Sequence, residues 1–231
     1  MTAFRRLMTV VLTAGVASGL LLAVLQLVAV TPLIHEAERY EQTADAESEQ
    51  GVHADDWQPA DGMERAAYTI AGTVLTSIAF SALLFGSASL FGLEINLRRG
   101  VALGLAGFAC CVLAPSIGLP PRPPGVTLAN IEAAQIWWFA TAFATAIGLW
   151  ANSRANGSWA WRVAGAVCIA LPHFVAVPQT IGSSPVPVDL IRRFAVVAVA
   201  TQAAFWLLLG AFGSYLYART FRDSVEPGAS F

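Results

Sequence analysis

Three histidines and one dense run of carboxylates hold most of the ligand chemistry of this chain. The histidines are His35, His53 and His173. Ten of the fifteen carboxylates fall between Glu36 and Glu64, the stretch that also holds His53 and directly follows His35. Imidazole and carboxylate together suit divalent first-row metals such as Co²⁺, Ni²⁺ or Zn²⁺. His173 differs from the other two because it lies inside an apolar segment, where an ionisable side chain marks a functional site by default. Pro172 before it cannot donate to the preceding turn, so carbonyl oxygen is freed there as a further ligand or as the lining of a polar cavity. Glu64, Glu132 and Asp189 each open an apolar segment on the side of the chain that carries the histidines. The candidate metal ligands are therefore His173, His35, Glu64, Glu132 and Asp189. Each has a plainer alternative. A run of loop acids is a solvated face, a carboxylate in a first helical turn offsets the helix dipole, and a buried histidine is often a hydrogen-bonded structural residue. No HExxH or comparable spacing decides between these readings.

The elements that position those residues are six long apolar runs in 231 residues, of which 56% are hydrophobic and 12% charged. A bilayer core about 30 Å thick takes about 20 residues of helix, and backbone groups in lipid must be satisfied within the segment. The chain therefore reads as an all-α integral membrane protein with six transmembrane helices in a single domain over residues 1–222. The helices are expected at about 7–34, 64–93, 100–119, 131–150, 159–177 and 190–217. An outer acidic loop is expected at 35–63 and a disordered tail at 223–231. The first segment begins like a signal peptide with Arg5 and Arg6. Its apolar run continues past Val30, beyond the 7–15 residues of a signal core, so it reads as an uncleaved helix.

Small residues recur at helical spacing. Gly15 and Gly19 form a GxxxG pair, Gly100, Gly104 and Gly107 share a face, and Ala140, Ala144 and Gly148 form a third stripe; such stripes let helices approach closely. Pro115 and Pro172 are expected to bend their helices. An offset of 57 residues aligns Cys111 with Cys168, Pro115 with Pro172, Pro121 with Pro178 and Glu132 with Asp189. Thr31-Pro32 and Glu64 give the first helix pair the same outline. This pattern suggests three parallel αα-hairpin repeats, of the kind that place transporter sites at repeat interfaces.

Arginine sets the orientation, because the chain has no lysine. With the N-terminus in the cytoplasm, eight of the thirteen arginines lie inside and five outside. Both termini are then cytoplasmic and the acidic loop faces outward. Trp137 and Trp138 fit one membrane interface, and Trp150, Trp159, Trp161, Tyr215 and Tyr217 the other. Cys110, Cys111 and Cys168 all sit in apolar runs and read as small packing residues. The net charge of −2 and scattered arginines give no nucleic-acid footprint. No GxSxG, P-loop, Rossmann glycine pattern or intramembrane Asp pair is present, so the chain reads as no enzyme and cannot drive ATP-powered transport alone.

Four segments resemble the CbtA family, the predicted cobalt transporter subunit of bacteria. They are Gln26 to Glu41 (QLVAVTPLIHEAERYE), Trp57 to Arg65 (WQPADGMER), Leu113 to Gly125 (LAPSIGLPPRPPG) and Leu171 to Gln179 (LPHFVAVPQ). Gln135 to Trp138 and Phe205 to Gly210 fit as well, and the likeness runs through nearly the whole chain in order. The resemblance implies a multi-pass protein of the bacterial inner membrane that handles cobalt as substrate and needs no cofactor. It implies cobalamin-linked regulation and a CbtB-like small single-helix subunit as partner; the apolar runs and small-residue stripes add the lipid bilayer and a second copy of the chain in a homo-oligomer as expected partners. Family members often carry a histidine-rich first loop, whereas this chain has His53 among acids. The expected function is a membrane permease subunit for cobalt or a related divalent ion, with acidic loop and intramembrane histidine guiding the cation. The alternative is a non-transporting structural or assembly subunit of a larger membrane complex.

Overall fold

The computed structural model describes residues 3–47, 59–175, 177 and 184–222. Its architecture is all-helical. In chain order the elements are α1 (Ala3–Leu25), a π-turn (Gln26–Val30), α2 (Thr31–Glu47), α3 (Met63–Leu90) and α4 (Leu97–Phe108). There follow a second π-turn (Ala109–Leu113), α5 (Ala114–Gly118), α6 (Ile131–Ser153), α7 (Trp159–Ala170), a 3-10 turn (Leu171–Phe174) and α8 (Val188–Arg222). Four helical stretches among the described residues have the length and composition to cross a membrane: Ala3–Ala44, Met63–Leu90, Leu97–Gly118 and Val188–Phe221. α6 is 23 residues long. α7 stops at 12 residues.

Proline explains the three irregular turns. Its ring clashes with the carbonyl four residues back and its nitrogen donates nothing. Pro32 and Pro115 each follow a π-turn, and the carbonyls they would collide with, at Val28 and Cys111, lie inside those widened turns. Pro172 acts in the opposite sense: α7 ends at Ala170 and the chain tightens into the 3-10 turn. A change of helical pitch thus accompanies both Pro115 and Pro172, widening at the first and tightening at the second.

The first helix runs further than its apolar pattern suggests. Residues 35–47, read as the start of the acidic loop, are helical. Leu33 and Ala37 are buried with Val30 against Val186, Leu190 and Phe194, and this apolar edge at i, i+3, i+7 carries the helix past its last hydrophobic residue. The remaining loop acids and His53, at 48–58, and the tail from 223 lie outside the described residues.

The chain packs as two compact units. One unit comprises residues 1–27, 57–107 and 201–231. Its close contacts are made by the glycines picked out above. A Cβ on Gly15 would lie 3.0 Å from Ile78 Cγ1, and one on Gly19 would lie 2.9 Å from both Val74 Cα and Ser77 Cβ. α1 and α3 thus run past each other in opposite directions at backbone contact. Gly104 faces Gly210, where a Cβ would meet Cα at 3.1 Å, and Gly107 lies under the ring of Trp206. Phe80 packs on Trp206 at 4.9 Å between ring centroids.

The other unit comprises residues 28–56 and 108–200. α6 and α7 form a hairpin in which Gly165 approaches the carbonyl of Gly148 at the 2.7 Å a Cβ would reach. The stripe that α6 buries is Ala134, Trp137, Thr141, Thr145, Gly148 and Ala151. Of the expected stripe only Gly148 belongs to it, and Ala140 is exposed. The opposite face, with Ile136, Phe139, Phe143, Ile147 and Trp150, is more than half exposed, as a lipid-facing surface would be.

Candidate metal-handling site

His173 sits in the 3-10 turn that Pro172 imposes on the end of α7. Its position follows from three contacts around Trp137. The indole N–H of Trp137 donates to the carbonyl of Pro172 at 3.2 Å. The indole ring meets the His173 ring edge-on, with centroids 5.7 Å apart and an angle of 69°. On the far side the indole lies on Gly118, where a Cβ would overlap its Cη2 and come within 2.7 Å of Cζ2. Trp137 is 6% exposed. It therefore belongs to the core of its unit and not to an interfacial belt, because its polar atom finds a carbonyl inside the protein. Pro172 O also accepts from Val175 N at 3.2 Å, so this carbonyl is doubly engaged.

Among the described residues, His173 Nε2 is buried without a hydrogen-bond partner. Such atoms are rare in native proteins and each calls for an explanation. A neutral imidazole with an unengaged nitrogen is a ligand in waiting, or the seat of a proton shared with something that arrives.

Each of the other candidates has its own local setting. His35 is half exposed on α2, and its Nδ1 lies 3.1 Å from Glu38 Oε2. Glu64 is exposed in the first turn of α3 and accepts from Ala60 N at 3.3 Å, while the next residue, Arg65, pairs with Asp61 at 3.1 Å. Glu132 opens α6 beside the cap Asn130, whose side chain accepts from Ala133 N at 2.9 Å. Asp189 opens α8. All three carboxylates are exposed at helix starts, where they complement the dipole. Among the described residues no three His, Cys, Asp or Glu side chains come together as a metal cluster. The five candidates are thus five positions along the chain and not one preformed site. The residue that sequence reasoning overlooked is Trp137, read as a belt aromatic. Its place on the face of Ala134, Thr141, Thr145 and Gly148 was the available signal.

Several helices long and apolar enough to cross a membrane, packed through internal glycine contacts, fit a multi-pass membrane protein. The chain matches the family described as probable cobalt transporter subunit (CbtA) over residues 4–218. It belongs to that family. No curated protein and no solved structure gives a significant match.

Proposed function

We propose that this chain is a permease subunit for Co²⁺ or a related divalent ion, in which His173 is the intramembrane ligand that the ion meets. The observation that carries this reading is the buried Nε2 of His173, which has no partner among the described residues, in a turn already committed to Trp137. A purely structural histidine would have both ring nitrogens placed. In this reading the chain crosses the bacterial inner membrane six times with both termini in the cytoplasm. α6 and the α7–3-10 segment supply the two crossings beyond the four long apolar helices. The two proline-broken segments are counterparts in a set of parallel hairpins. The acids of the outer loop raise the local cation concentration, with His35, Glu64, Glu132 and Asp189 as successive outer stations. A small CbtB-like subunit and a second copy of the chain are the partners this reading expects.

The competing reading is an assembly subunit that docks through its small-residue stripes. Gly15, Gly19, Gly104, Gly107 and Gly148 are occupied by contacts inside the chain, which leaves little of those stripes for a partner and favours the permease.

The test is cobalt accumulation in proteoliposomes holding only this chain. His173→Ala should abolish uptake while the protein still inserts and keeps its melting temperature; His35→Ala should cost less and His53→Ala least. Normal uptake by His173→Ala would remove the histidine from the pathway. Absence of uptake by the wild-type chain would favour the assembly role.

A further inference from the structure

Within the first unit lies a second polar feature that contains neither histidine nor carboxylate. It is a cavity of about 180 Å³ whose polar lining is Gln26, Thr73, Thr76, Ser77 and Gln202, with Leu22, Phe80 and Phe205 as apolar walls. Thr73 lies ten residues into α3, roughly 15 Å along a helix axis, and Gln202 fourteen residues into α8, roughly 21 Å. Both depths fall well inside a bilayer core of about 30 Å.

The hydrogen bonds fix the character of this lining. Thr73 Oγ1 donates to Gln26 Oε1 at 2.8 Å, Thr76 Oγ1 to the carbonyl of Gly72 at 2.8 Å, and Ser77 Oγ to the carbonyl of Thr73 at 2.7 Å. Each hydroxyl has thereby spent its only proton and retains acceptor lone pairs. A π-turn opens at Gln26, and such turns are frequent at functional sites because they displace carbonyls from helical pairing. One turn away on the same helix faces, Ser18 Oγ and Ser81 Oγ are buried without partners, which continues the polar track from Leu22 along α1 and from Ser77 along α3.

We propose that this cavity binds a Na⁺-sized monovalent cation and that the ion is the coupling ion of transport. Several neutral oxygens facing one space suit a hard cation, and displaced carbonyls with hydroxyls are a recurrent Na⁺ shell in membrane transporters. A divalent ion is disfavoured: the cost of desolvating charge grows with its square, and no carboxylate is present to offset it. A proton is disfavoured as well, because no lining side chain titrates in the accessible range. The volume holds a partly hydrated ion, given that a water occupies about 30 Å³. The role as coupling ion rests on the permease reading; the binding site does not.

The experiment uses the full chain, first without cobalt. Its melting temperature is measured in Na⁺, K⁺ and choline at equal ionic strength. Na⁺ should raise it with the logarithm of concentration, as ligand linkage requires, and K⁺ and choline should not. Ser77→Ala and, separately, Gln202→Leu should lose the Na⁺ shift while melting in choline as the wild type does. Proteoliposome uptake of cobalt should then depend on an inward Na⁺ gradient. Equal melting in all three salts, or a Na⁺ shift retained in both variants, overturns the site. A Na⁺ shift with cobalt uptake indifferent to the gradient overturns the coupling role. A Na⁺ shift with no cobalt uptake under any gradient leaves the ion site standing and removes the permease reading instead.

Discussion

The contact between Trp137 and Gly118 can be tested by a double-mutant cycle whose sign is set in advance. Gly118→Ala alone puts a methyl group into the indole, with Cζ2 only 2.7 Å from the new carbon. The indole cannot easily retreat, because its N–H is held by Pro172 O and its ring by His173. Overpacking of this kind costs about 1–3 kcal/mol. Trp137→Phe alone loses the N–H···O bond, worth about 0.5–1.5 kcal/mol. Pro172 O is not orphaned by that loss, since Val175 N still donates to it. The missing ring atoms leave a gap of roughly 30–40 Å³, adding about 1 kcal/mol. Trp137→Phe should therefore cost about 2 kcal/mol, and independent effects would sum to about 3–5 kcal/mol. The methyl of Gly118→Ala, however, occupies the space that Trp137→Phe vacates. The double variant should cost about 2 kcal/mol or less, a favourable coupling of about 1–3 kcal/mol. Reversible unfolding in mixed micelles measures all four proteins. Costs that add to within about 0.5 kcal/mol would show that the two residues do not share one packed contact.

Other consequences follow from the same geometry. Gly104→Ala should destabilise by about 1–3 kcal/mol through its clash with the Gly210 backbone, while Gly86→Ala, facing open space, should be neutral or stabilising by up to about 1 kcal/mol; unfolding midpoints of the two variants check this. Replacing Glu47, Glu49, Asp55 and Asp56 by amides should weaken cobalt uptake at low salt and hardly at high salt, because screening acts over about 8 Å at physiological ionic strength; equal loss at both would make these acids direct ligands. His53→Cys, in a chain with Cys110, Cys111 and Cys168 replaced by alanine, should react with an impermeant thiol reagent from outside intact cells. Reaction only after permeabilisation would reverse the proposed orientation.

Much of the helical framework was legible in the sequence, because lipid imposes simple rules on length and on small residues. Gly15, Gly19, Gly100 and Gly104 each meet another helix at backbone distance, and Gly107 makes room for the Trp206 ring, as their spacing implied. Two features were hidden for physical reasons. Proline marks where a helix must deviate, yet the sequence does not say whether the turn widens, as at Pro32 and Pro115, or tightens, as at Pro172. The extension of the first helix to Glu47 was masked by its acids, since its anchor is only Leu33 and Ala37 packed on residues some 150 positions away in the chain. The aromatic pairing Trp137-Trp138 suggested a belt, whereas the small and hydroxyl residues Ala134, Thr141, Thr145 and Gly148 on the face of Trp137 mark the buried side.

The sparseness of the proposed metal path is itself informative about mechanism. A resident structural metal needs three or four protein ligands in closed geometry, and among the described residues no such cluster exists. Passage demands the reverse: binding strong enough to admit the ion and weak enough to release it. In the proposed path one imidazole nitrogen at His173 and single carboxylates at helix starts offer an ion partial dehydration at each station and a deep well at none. In the proposed scheme the ion keeps most of its water and exchanges only some ligands at the histidine. Adding a second strong ligand beside His173 should therefore tighten binding and slow uptake. Ala170→His is a suitable change: Ala170 caps the 3-10 turn three residues before His173, and side chains three apart eclipse in such a turn. Cobalt affinity measured on the purified chain should rise while the initial uptake rate falls. If affinity and rate rise together, the path is limited by capture and not by release, and the transient-site argument fails.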